Sequence, residues 1–104
     1  MFRSSRGLGV VFAVVIAIGG AAPALAIVSP DGGSTATKSG TTFSVKDSKC
    51  DGRAAYGNWG GTSANRLDNK SGCNTTASKT VTVGSFRACT DIPAGTDSCS
   101  VWTS

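Results

Sequence analysis

An all-β sandwich or small barrel is the fold this sequence predicts, and three observations predict it. Short stretches alternate apolar and polar residues with a period of two, turns rich in Gly, Ser and Asp separate them, and no segment beyond residue 26 carries helical periodicity. Four cysteines, Cys50, Cys73, Cys89 and Cys99, all follow an N-terminal stretch with the features of an export signal. An even cysteine count in a short exported chain points to disulfides, because so small a domain buries little apolar surface.

The export segment is read over residues 1–26. Arg3 and Arg6 supply the positive start, Leu8 to Ile18 an apolar stretch, and Ala24-Leu25-Ala26 an A-x-A site that predicts cleavage after Ala26. The apolar stretch is shorter than the ~20 residues a bilayer core demands, and Gly19, Gly20 and Pro23 interrupt a helix where an anchor would continue. Past residue 26, eight Lys and Arg face six Asp, so half of the formal charge of +4 belongs to the export segment. The remaining cations are scattered, which argues against nucleic acid as a partner. With that charge and no amphipathic helix, membrane binding after cleavage is not expected either.

Residues 27–40, rich in Gly, Ser and Thr with Pro30 near the start, read as a flexible lead-in or at most a short edge strand. The domain proper spans 41–104. Thr42 to Lys46 alternates as a half-buried strand, and Asp47 to Gly52 turns the chain. Arg53 to Trp59 is a second strand, Gly60 to Ser63 a turn, and Arg66 to Asn69 a short third strand. Lys79 to Val83 has the clearest alternation, valines to one side and threonines to the other. Ser85 to Thr90 and Cys99 to Thr103 complete about six strands, a count and spacing that suit a small sandwich of immunoglobulin or fibronectin type III character. Four cysteines allow three pairings. The favoured one joins Cys89 to Cys99 across the loop between the last two strands and leaves Cys50 with Cys73.

Four runs resemble the small secreted proteins of unknown function found in actinobacteria: Phe43-Ser44-Val45-Lys46-Asp47 with Asp51-Gly52; Leu67-Asp68-Asn69-Lys70-Ser71-Gly72; Phe86-Arg87-Ala88-Cys89-Thr90-Asp91; and Asp97-Ser98-Cys99-Ser100-Val101-Trp102. The likeness covers roughly residues 41–103, and its specific part is the R-A-C … C-x-x-W ending. It implies an extracellular β-sandwich and carries no activity.

Chemistry is sparse. The chain contains no His and no Glu, so neither a Ser-His-Asp nor a Cys-His arrangement can be assembled. Asp47 with Asp51 and Asp91 with Asp97 are close pairs of the kind a glycosidase uses, but all four lie in turn-forming sequence where Asp caps backbone. Zinc lacks its His and C-x-x-C ligands, and Asp68 to Gly72 lacks the acidic density of a calcium loop. No cofactor, metal or catalytic residue is expected, and the chain is not read as an enzyme.

Binding is the remaining class. Trp59, beside Gly60-Gly61, is the aromatic most expected at the surface, with Tyr56 as its neighbour in a sugar platform, and Trp102 is expected in the core. Asp91, Ile92 and Pro93 sit in a disulfide-closed loop whose pre-organisation lowers the entropy cost of binding. The expected protein is a monomeric, secreted, non-catalytic binding module for an extracellular protein or cell-wall polysaccharide. The alternative is an inhibitor of an extracellular hydrolase that presents loop 90–98.

Overall fold

The computed structural model describes residues 24–104, so the expected export segment lies outside the described residues except for its last three. Eight strands follow in order: β1 (Leu25–Val28), β2 (Ser34–Ser39), β3 (Thr42–Asp47), β4 (Ala55–Trp59), β5 (Thr62–Asn69), β6 (Thr76–Thr80), β7 (Phe86–Thr90) and β8 (Ser98–Cys99). They build two antiparallel four-stranded sheets, ordered β1-β2-β3-β6 and β5-β4-β7-β8. Among the described residues no helix forms.

Residues 27–40 depart from the expected lead-in. They hold the end of β1 and all of β2, which pair with one another and, through β2, with β3 in continuous register. Alternation is present there but written in small residues: Ser34 and Ala36 point inward and are fully buried, while Thr35 and Thr37 are only half-buried. Composition suggested flexibility because such residues carry little apolar signal. At the other end of the chain, β8 is shorter than the expected Cys99–Thr103 strand. Ser100 and Thr103 still bond β7, with Ser100 N–H donating to the Ala88 carbonyl and Phe86 pairing Thr103 in an isolated bridge.

The strand expected at Lys79–Val83 is displaced toward the N-terminus. The ladder to β3 covers Thr76–Thr80, after which Val81 N–H donates to the Thr41 carbonyl as the chain leaves the sheet. Both valines nonetheless pack on the core, Val83 buried and Val81 partly so.

That core lies between the sheets: Ala36, Phe43, Val45, Ala55, Val83, Phe86 and Ala88, with Leu25, Ile27, Trp59, Leu67 and Val81 packed against it. Phe43 meets Trp59 and Phe86 edge-on, with ring centroids 5.4 and 5.9 Å apart. Gly57 opens the space for Phe43, because a Cβ at this position would stand 2.7 Å from Phe43 Cζ and 2.9 Å from Val45 Cγ2. A core with so few large side chains is supplemented by polar staples between the sheets. Asn69, at the end of β5, donates to the Val45 and Thr75 carbonyls at 3.1 and 2.7 Å. Across the sandwich, Thr90 of β7 donates to Asp31 Oδ1 at 2.9 Å and lies 3.2 Å from the Ser29 hydroxyl. Ser29, Asn69 and Thr90 are buried and partnered, so their desolvation is compensated, whereas Asp31 keeps Oδ2 buried without a partner.

Candidate loop-end binding site

Strand register sends four connections to one end of the sandwich: 29–33, 48–54, 70–75 and 91–97. The β2–β3 and β4–β5 turns at the opposite end are two-residue turns, Gly40-Thr41 and Gly60-Gly61. The four loops share a device. Asp31, Asp47, Asp51 and Asn69 each accept, through Oδ1, the backbone N–H two residues ahead, from Gly33, Lys49, Arg53 and Ser71. Asp97 does the same work in reverse, accepting Ile92 N–H at 3.0 Å. The side-chain oxygen replaces a backbone acceptor in each turn, which is why Asp recurs here.

The cysteines pair as Cys50–Cys73 and Cys89–Cys99. The first bridge ties loop 48–54 to loop 70–75. The second closes the base of loop 91–97, where Cys89 and Cys99 are register partners on β7 and β8. Within that loop Gly95 N–H bonds the Ile92 carbonyl at 3.2 Å, Pro93 takes the second turn position and Ala94 has a φ of 58°. This is the backbone of a type II turn, with Pro fixing its first corner. Pro93 to Thr96 are exposed and Ile92 is half-buried.

The loop is fastened to the outer face of the second sheet. Tyr56, only 4% exposed, donates its hydroxyl to Asp97 Oδ2 at 2.5 Å. The Arg66 guanidinium lies 3.5 Å from the Tyr56 ring centroid, bonds Asp68 at 2.8 Å and reaches Asp91 at 3.8 Å. Beside it Arg87 donates to Asn58 Oδ1 at 3.0 Å and lies 4.7 Å from the Trp102 ring centroid. Burial, and then the bond to Asp97, push the Tyr56 phenol up to about 12. The Tyr56 hydroxyl, and then Ile92 N–H, hold the Asp97 carboxyl below the usual carboxylate range.

Of the residues singled out from sequence, Tyr56, Asp91, Ile92 and Pro93 come together here. Trp59 does not. It shares the parity of Ala55 and Gly57, so it turns into the core against Phe43, on the face of β4 opposite Tyr56. A Tyr56–Trp59 sugar platform is therefore ruled out. Trp102 is likewise displaced from its expected core position to the outer face under Arg87. No local pattern joins Arg66, Asp68 and Arg87 to Asp97, because they meet through the non-local strand order β5-β4-β7-β8; the Arg66-x-Asp68 spacing, which places both on one strand face, is the available signal.

Comparison with known proteins adds no assignment: no family model, no curated protein and no solved structure matches the chain.

Proposed function

We propose that this protein is an exported, non-catalytic binding module that engages an extracellular partner through its loop end. One observation carries the reading: the four Asx-organised connections gather at one end, where the Cys50–Cys73 bridge cross-links two of them and Cys89–Cys99 closes the base of a third. A rigid scaffold presenting fixed loops is how sandwich domains bind, and fixing the loops beforehand reduces the ordering cost on association. The disulfides suit an oxidising compartment, which supports export and fits the likeness to small secreted actinobacterial proteins.

The finer likeness to an immunoglobulin or fibronectin type III sandwich has support in the strand order of both sheets. The order β5-β4-β7-β8 corresponds to the C′-C-F-G order of immunoglobulin domains. In the other sheet β2-β3-β6 follows the A-B-E order, since β3 precedes β4 and β6 precedes β7 in the chain; the departures are the additional edge strand β1 and, among the described residues, the lack of a D strand.

Inhibition of an extracellular hydrolase is the second reading, favoured by exposed Pro93 to Thr96 in a loop fixed at its base by Cys89–Cys99. A closed turn at Ile92–Gly95 is not the extended strand that pairs with a cleft edge, so an inhibitor of this kind would plug and not mimic a substrate.

The test is capture of components of spent medium and isolated cell wall on the immobilised oxidised protein. Pro93→Asp is expected to abolish capture, and Thr41→Asp, at the opposite end, to leave it intact. Capture that Pro93→Asp does not touch and Thr41→Asp removes would overturn the loop-end assignment. A captured hydrolase losing activity in the complex would select the inhibitor reading.

A further inference from the structure

The loop end also contains a cleft of about 590 Å³ between loops 48–54 and 70–75, lined by Asp47, Lys49, Arg53, Lys70 and the Cys50–Cys73 disulfide, among others. Its volume falls within the range of small-molecule sites. Three cationic side chains share this wall with one carboxylate. That Asp47 carboxylate is 4% exposed and already accepts Lys49 N–H at 3.3 Å. Asp51, in the same loop, has one oxygen on Arg53 N–H and the other buried without a partner, so its carboxylate is turned into its own loop.

Two of the three cations of this cleft, Arg53 and Lys70, are unpaired within the described residues. Elsewhere in the described residues Arg66 is paired with Asp68 and Asp91, Arg87 is held by Asn58 and Trp102, and Lys38 donates to the Val83 and Gly84 carbonyls. Among the described residues Arg53 and Lys70 have no carboxylate within salt-bridge distance, while Lys49 donates to the Asp31 carbonyl at 3.3 Å and, against the opposing effect of burial, its charge helps hold the Asp31 carboxyl below the usual carboxylate range. Gly52 and Gly72 line the same recess, each with positive φ and nothing within 4 Å of a Cβ position, so no side chain fills it from the backbone. The disulfide fixes the distance between the two loops that bear the charges.

We infer that this cleft binds a tetrahedral oxyanion group, a phosphate or sulfate ester, carried by the partner or by a small ligand. Resting on the loop-end reading, the inference names the chemistry recognised there. Arg53 supplies the forked donor that matches two oxygens of such a group, and Lys49 and Lys70 supply point charges from two loops. Charge from three side chains around one recess exceeds what the scattered Lys46 and Lys79 can offer singly.

The experiment is an amide NMR titration of the oxidised protein with inorganic phosphate, sulfate, acetate and chloride at equal ionic strength. Saturable shifts confined to residues 49–54 and 70–73 are expected with phosphate or sulfate, and none with chloride. The stronger of the two oxyanions assigns the ester class. Arg53→Gln is expected to weaken binding about tenfold, the scale of losing a charge-assisted forked contact, while Lys79→Gln leaves it unchanged. Equal shifts with acetate or chloride, or shifts spread over Lys38, Lys46 and Lys79, would overturn the site. If Arg53→Gln leaves partner capture intact and no oxyanion binds, the cleft assignment fails and the loop-end reading stands.

Discussion

Tyr56 joins the sheet to the loop. Its ring lies beneath Arg66, and its hydroxyl supplies one of the two bonds that fix Asp97. Tyr56→Phe keeps the ring and its cation–π contact, so the variant isolates the hydroxyl. The expected loss is about 1–3 kcal/mol at neutral pH, the range for a hydrogen bond to a charged group. The pH dependence has a defined sign at both limbs. Asp97 titrates below its ordinary value when folded, so its contribution is complete above the unfolded carboxylate range and disappears as pH falls through the lowered value. Tyr56 is raised from 10.0 to about 12, so its contribution is complete below pH 10 and is lost as pH climbs toward 12. Urea unfolding of both proteins across pH checks this: the alkaline decline between 10 and 12 is expected in the parent protein and absent in Tyr56→Phe. An unchanged alkaline limb in the variant would assign that limb to other groups.

Strand β1 turns the position of the proposed export cleavage into a question of stability. Leu25 and Ala26 pair Lys38 and Thr37, and Leu25 packs against the core, so a chain cut after Ala26 keeps only Ile27 and Val28 of this edge strand. Ala22-Pro23-Ala24 is a second small-x-small site, and cleavage after Ala24 leaves β1 whole. A chain beginning at Leu25 is expected to exceed one beginning at Ile27 by about 1 kcal/mol, from a half-buried leucine. For a domain of this size that is about 4–8 °C in Tm, readable by circular dichroism. Equal melting temperatures would show that β1 begins, energetically, at Ile27. What made strands legible in this sequence was the size of their inward side chains. Phe43 and Val45 announced β3, and Phe86 with Ala88 announced β7. β2 alternates just as regularly but with Ser34 and Ala36 inward, and was lost among residues typical of linkers. For β6 the signal misled: Val81 and Val83 bury themselves beyond the last ladder pair, Thr42 with Thr80, so burial and strand pairing part company. The loop at 91–97 was readable from its flanking cysteines. The arginines that brace it were not, because β5 and β7 are brought beside β4 by topology that no local pattern encodes.

Cohesion of the whole molecule rests on a thin core, inter-sheet polar staples and two cross-links. Among the described residues Phe43 and Phe86 are the only fully buried aromatic side chains, and alanine fills three core positions. The Cys50–Cys73 bridge closes a separation of 23 residues and Cys89–Cys99 one of 10. In the chain-entropy model each bridge contributes about 3 kcal/mol by restricting the unfolded chain. Together they match the lower end of the net stability of small domains, about 5 kcal/mol. The two are not equivalent in place. Cys50–Cys73 joins loops outside the ladders, so Cys50→Ser with Cys73→Ser is expected to preserve both sheets, lower the unfolding free energy by about 3 kcal/mol and raise the urea m-value, because an uncrosslinked denatured chain exposes more surface. Cys89 is fully buried and paired in register with Cys99, so serines there add buried polar groups to the loss of the cross-link and are expected to cost more. Full reduction removes both contributions and is expected to abolish the cooperative transition at 37 °C. Near-UV circular dichroism of Trp59, packed on Phe43, reports the outcome directly. A reduced chain that keeps that signal and a sharp melt would mean that the staples at Asn69, Thr90 and Asp31 hold the sheets together without help from the disulfides.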